Sequence, residues 1–198
     1  MGVESSETRA QLLDTAEKIM QEEGYAAITT RRIALRAGVS YQLVHYYFRT
    51  MDDLYLAMVK HGAARHLAEI ESALASKEPL RALWDIYRHP GYARLAFEYM
   101  ALANHRKEIS AEAARHTKRM RELETAAVAE FLSDHGVDPQ EYPAVGVAVM
   151  FAALARSMGM EKGVGVSDGH DEATRIVERL FTKLKTARKP ARKSVRRG

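Results

Sequence analysis

AGVSYQLVHYYFRTMDDL, residues 37–54, sets a glycine suited to stop a helix two residues before a serine suited to start one. Four of its residues are Tyr or Phe. Gly38 supplies a left-handed stop for a short helix that Thr29 or Thr30 caps. Ser40 caps the next short helix, Tyr41 to about Phe48. Thr50, with Asp53 three residues on, starts a long helix through Leu54, Met58, Leu67, Ile70 and Leu74. Two short helices joined by the four-residue turn Ala37–Ser40 form a helix-turn-helix signature. Ile33, Ala34 and Ala37 face inward from the first. Val44 and Phe48, four apart, face inward from the second. Leu12, Ala16, Ile19 and Leu54 close the core.

That assignment turns Tyr41, Gln42, His45 and Tyr46 outward or sideways. A helix face bearing Gln and aromatics suits a DNA major groove. Gln bonds an adenine edge in a bidentate way, and Tyr rings and Leu43 meet thymine methyls. Tyr hydroxyls, His45 and the capping Thr or Ser40 suit phosphates. The same aromatics also suit packing against neighbouring helices. That reading holds for Phe48 and stays open for Tyr47. From Ile28 to Met51 the chain has Arg31, Arg32, Arg36 and Arg49 and no Asp or Glu, a local basic footprint between Glu22-Glu23 and Asp52-Asp53.

The stretch ITTRRIALRAGVSYQLVHYYFRTMDDL resembles the DNA-binding domain of the TetR/AcrR transcriptional regulators. The matching residues are Thr29, Thr30, Arg31, Ile33, Ala34, Ala37, Gly38, Val39, Ser40, Tyr46, Tyr47, Phe48 and Leu54. The likeness covers about residues 8–60. It implies phosphate contacts from Thr30 and Tyr47, a base or phosphate contact from Arg31, and base-edge positions for Tyr41, Gln42, Leu43 and Tyr46. Three positions depart from the pattern. His45 replaces a Tyr, Gln42 a small residue, and Met51 a Lys that contacts phosphate. Arg49 offers a replacement for that lysine. These departures point to a different operator sequence.

The 198-residue chain is 46% hydrophobic and 28% charged, an ordinary globular composition. It has no cysteine, which excludes disulfides, thiolate metal sites and cysteine catalysis. No run approaches about 18 apolar residues, so no membrane span is expected, and a cytoplasmic protein is the simplest reading. The formal charge of +4 hides a split. Residues 183–198 hold eight Lys/Arg and no acid, leaving the body mildly acidic.

The 3.6-residue period runs almost throughout, with no convincing strand. An all-α fold of about nine helices is expected. Residues 1–50 would form the helix-turn-helix domain and 51–187 a larger helical domain, which the resemblance implies binds a ligand and makes the dimer, followed by a disordered basic tail at 188–198. Pro79 opens a fifth helix and His89-Pro90-Gly91 breaks it. A sixth follows, Ser110 opens a seventh, Pro143–Met160 is an eighth, and Ser167 or Asp168 caps a ninth. The eighth is apolar nearly all round and the ninth carries its own apolar stripe. Both call for burial on more than one side, as a homodimer through the last two helices would provide.

Such a dimer would pair two readers on a palindromic double-stranded DNA operator. Met58, His61, Trp84, Tyr87, Phe97, Met100, Met120, Met150, Phe151, Leu154 and Met158 are candidate liners of a pocket for a small apolar effector, since Met and aromatic side chains make adaptable cavities. Each equally suits plain core. His61 and His66 could orient a polar ligand group. A repressor released by ligand is the logic the resemblance implies. The rival reading is a helical ligand- or protein-binding module without DNA reading. An enzyme is not expected: H-E-x-x-H, G-x-S-x-G and P-loop patterns are missing, and GVGVSDG has no preceding strand. Neither a cofactor nor a metal is expected.

Overall fold

The computed structural model describes the backbone of residues 3–186 and the side chains of 7–182. The basic tail expected at 188–198 lies outside the described residues. Among those described, the chain is all-helical. The helices are α1 (Val3–Glu23), α2 (Thr30–Ala37), α3 (Tyr41–Tyr47), α4 (Met51–Leu74), α5 (Pro79–Tyr87), α6 (Pro90–Ala103), α7 (Lys107–Asp134), α8 (Ala144–Gly163) and α9 (His170–Thr186), with a 3-10 turn at Tyr25–Ala27.

The boundaries of the short helices follow from their caps. The Thr29 hydroxyl accepts the Arg32 N–H at 3.1 Å, so Thr29 is the cap and Thr30 the first helical residue. Gly38 stops α2 at φ 70°, a left-handed conformation that a Cβ would disfavour. The Ser40 hydroxyl accepts the Leu43 N–H at 3.3 Å. Thr50 and Asp53 exchange two bonds of 3.0 Å in a capping box at the start of α4.

Three boundaries differ from expectation. The 3-10 turn after Gly24 has no periodic signal; the Tyr25 N–H donates to Glu98 Oε2 of α6 at 2.8 Å, which holds it there. Helix α7 starts at Lys107, ahead of Ser110, and this first turn carries Ile109 into the core. Helix α9 starts at His170, after a turn in which Gly169 takes φ 78°.

Two apolar cores share the long helix α4. The first joins Leu12, Ile19, Ile33, Val44 and Phe48 to Leu54, Met58 and Val59 of α4 and to Leu102 and Ile109. The second gathers Ile70, Leu83, Trp84, Tyr87, Met120, Val128, Ala152 and Met158. The covalent step between the two parts falls at Thr50. The packing step falls a helical turn or more later, beyond Val59.

Helix α8, with a mean hydropathy of 1.4, is by length and composition alone apolar enough to cross a bilayer. In the fold Ala148, Ala152, Ala155 and Met158 seat one side of it in the second core. Its other side exposes Val145, Val149, Met150 and Leu154, and α9 exposes Ile176 and Leu180.

Candidate nucleic-acid interface and interior cavity

Helix α3 divides its side chains as the turn spacing predicts. Val44 and Phe48 are buried, while Tyr41 is 50% and Tyr46 76% exposed. Gln42 and His45 are also exposed, and Leu43 and Tyr47 are half-buried. The Tyr41 and His45 rings meet edge to face at 6.1 Å, as do Tyr46 and Tyr47 at 5.2 Å. Stacking of this kind holds rings in place without a surrounding core. The α3 surface is therefore an ordered polar-aromatic ridge.

The basic footprint is smaller than the sequence implied. Arg32 pairs with Glu23 at 2.7 Å and Arg36 with Glu22 at 2.6 Å. The two acids that flank the window in sequence fold back on it, because α2 packs against the end of α1. Hydrogen bonding to Arg36 is the main cause holding the Glu22 carboxyl below its ordinary range. Arg31 and Arg49 are exposed and form no ion pair among the described residues. Thr29 and Ser40 are exposed at the starts of α2 and α3, their hydroxyls engaged as caps. Thr30 is half-buried. Met51 packs against the first core. Sequence reasoning passed over Arg9 of α1, whose guanidinium lies 5.2 Å from the Phe48 ring centre beside α3. A lone Arg in a long polar helix carries no local signal of that placement.

A cavity of about 390 Å³ opens between α4, α6, α7 and α8. Val59, Leu95, Ala96, Met100, Ala113 and Met120 form its apolar walls. Arg65, His66, Glu69, Tyr92, Tyr99, His116, Arg121, Glu124 and Arg156 bring polar groups to it. Of the residues expected to line a pocket or orient a ligand in it, Met120, His66 and the 54%-exposed Met100 do lie in its wall. Met58, Trp84, Tyr87 and Met158 are buried in the two cores. Phe97, Met150 and Leu154 are exposed. Phe151 packs between Trp84 and Phe181. His61 faces α1, with Nε2 2.8 Å from Asp14.

His66 and His116 meet at 3.0 Å between Nδ1 and Nε2, and the Tyr92 ring stacks 4.7 Å from His66. Burial, then His116 and Arg156 nearby, hold the His66 imidazole down at about 3, so both rings are neutral near pH 7. One ring donates and the other accepts. His66 Nε2 is buried with no hydrogen-bond partner among the described residues. Glu124, 3% exposed, accepts the Tyr87 hydroxyl at 2.6 Å and sits 2.9 Å from Arg121.

Glu17 of α1, 4% exposed, reaches the same neighbourhood from the helix-turn-helix side. It accepts the Tyr99 hydroxyl at 2.8 Å and pairs with Arg65. Arg65 also reaches Asp14, at 3.4 Å. Three helices thus meet at one carboxylate, and two of its partners line the cavity. No local pattern marks Glu17, Tyr92, His116 or Arg156 as a group, because they come from four separate helices.

Residues 12–58 match the family model for bacterial regulatory proteins of the tetR family. The chain is similar to the transcriptional repressor AcnR of Corynebacterium diphtheriae, 31% identical over 87 residues, 44% of each chain. The match thus spans less than half of that relative. A TetR transcription regulator from Haloarcula marismortui has the same fold, with a TM-score of 0.72 at 20% identity, covering 90% of this chain and 97% of its own. A protein from Saccharomonospora viridis in complex with choline gives 0.71 at 18% identity, covering 91% and 94%. Residues 12–58 are therefore a helix-turn-helix unit of the tetR family of bacterial regulatory proteins, and the chain as a whole has the TetR fold.

Proposed function

We propose that the chain is a cytoplasmic homodimeric transcriptional regulator that binds a palindromic DNA operator through α3 and releases it when a small effector enters the cavity. The observation that carries this reading is the exposed ridge of Tyr41, Gln42 and Tyr46 on a helix whose Val44 and Phe48 are fully seated in the core. Such a ridge offers base-edge contacts on a rigid support. Arg31, Arg49 and Arg9 supply cations for the flanking phosphates, and Tyr47 and Thr30 add neutral donors.

Exposed Val145, Val149, Met150, Leu154, Ile176 and Leu180 provide a self-complementary apolar face for a two-fold dimer. Two α3 helices about 34–36 Å apart would then read two half-sites. The effector acts through α4, which belongs to both cores. A ligand shifts the operator equilibrium only by its differential affinity for the two arrangements of that helix. Repression relieved by ligand accords with the repressor among the relatives.

Footprinting on the region upstream of the protein's own gene tests the reading. A protected palindrome with two half-sites about one helical turn apart supports it. Absence of a protected site on any upstream fragment at moderate salt would favour a binding module that does not read DNA.

A further inference from the structure

The polar half of the cavity carries one guanidinium that forms no ion pair among the described residues. Arg65 is matched by Glu17 and Asp14, and Arg121 by Glu124. Tyr87 donates to the other oxygen of Glu124, while Oε2, 2.9 Å from Arg121, accepts no hydrogen bond among the described residues. The two histidines are neutral. Arg156, from α8, is half-buried in the cavity wall with its guanidinium 5.0 Å from the Tyr87 ring centre. It has no carboxylate partner among the described residues. Glu69 is the remaining lining acid, and it is exposed. Arg156 also hydrogen-bonds the Tyr92 side chain, and a guanidinium held on an aromatic face and by one phenol keeps the rest of its N–H donors for a ligand. In the same wall, His66 Nε2, Arg121 Nη1 and Glu124 Oε2 are buried without a hydrogen-bond partner among the described residues.

The geometry points to an effector that is an anion with an apolar body: a carboxylate held by Arg156 at the polar end, with the remainder along Val59, Leu95, Met100 and Met120. This assignment rests on the cavity being the effector site and deepens that reading. Arg156 fits a planar carboxylate in a bidentate way, and a carboxylate gives this guanidinium the ion-pair partner it lacks. A cation such as choline would meet the Tyr92 and His66 rings but would also face Arg156, with only the exposed Glu69 as an unpaired lining carboxylate to offset the repulsion. The chain would thus differ in ligand charge from the choline-bound structural relative.

Calorimetric titration of the full chain with octanoate, 4-phenylbutyrate, octylamine and choline tests the assignment, paired with operator-affinity measurements. Expected is saturable binding of at least one carboxylate, no comparable binding of either cation, and a loss of about tenfold or more in carboxylate affinity in Arg156→Gln, with Arg156→Lys intermediate. Thermal melts of each variant establish that it is folded. Tighter binding of octylamine or choline would overturn the anion assignment and leave the cavity reading standing. Carboxylate binding that Arg156→Gln does not weaken would also overturn it. If none of the four binds or alters operator affinity, the anion assignment fails, and the cavity reading is then judged separately by whether filling the cavity with Ala113→Trp alters operator affinity.

Discussion

The Tyr99 hydroxyl donates to Glu17 Oε2 at 2.8 Å, tying α6 of the larger domain to α1 of the helix-turn-helix unit across the face of α4. The contact requires Gly62. A Cβ there would stand 2.7 Å from the Tyr99 oxygen and 3.2 Å from Glu17. The glycine lets a buried carboxylate, a phenol and a guanidinium converge where the two cores meet.

Gly62→Ala should therefore force Tyr99 aside and destabilise the fold by about 1–3 kcal/mol, the usual cost of overpacking. This would outweigh the helix propensity gained from alanine, about 1 kcal/mol. Urea denaturation reads the balance. A variant as stable as the parent, or more so, would show that the junction has slack.

Glu17→Gln should keep the shape but weaken the link to Arg65. Its expected signature is an operator affinity that responds less to any ligand that binds the cavity, with ligand affinity itself little changed. Calorimetry with and without operator separates the two. An undiminished response would remove Glu17 from the coupling route.

The ion pairs of α2 divide its arginines into two kinds. Arg31→Ala should weaken DNA binding and lower the slope of log affinity against log salt by about 1, the mark of one lost phosphate contact. Arg32→Ala should leave that slope unchanged, since Glu23 already holds Arg32. Equal slopes in both variants would contradict the division.

The helix-turn-helix was legible because its signals are local. Thr29, Gly38, Ser40 and Thr50 each fix a boundary within four residues of themselves, and Val44 and Phe48 declare the inward face. The cavity was largely illegible for the opposite reason. Met58, Trp84 and Tyr87 carry the same apolar signal whether they fill a core or line a void. The cavity's polar wall joins residues up to about ninety positions apart, from Arg65 to Arg156. The same distance effect concealed the pairing of Arg32 and Arg36 with Glu23 and Glu22, which only the crossing of α1 and α2 brings about.

Stability should fall in mild acid. Half-buried His66 is held down at about 3, against about 6.5 in the unfolded chain. Between those values the unfolded chain takes up a proton that the folded one does not. The contribution is thus complete above about pH 6.5 and is lost as pH falls, by up to about 1.4 kcal/mol per pH unit. Denaturation midpoints at pH 7.5 and 5.0 should differ more in the parent than in His66→Gln. Equal differences would place the titrating group elsewhere.

Met150, 74% exposed on α8, should matter for assembly and not for folding. Met150→Glu places a charge in the proposed dimer face and should yield a helical monomer by analytical ultracentrifugation. An intact dimer would move the interface off this face.

The most direct test of α3 as the reader is the affinity of Gln42→Ala for the footprinted operator and for a scrambled duplex at one fixed salt concentration. Loss of Gln42 should lower the preference for the operator by about 1–3 kcal/mol while leaving the scrambled duplex bound as before. An unchanged preference would contradict the account, because the exposed face of α3 would then not be reading bases.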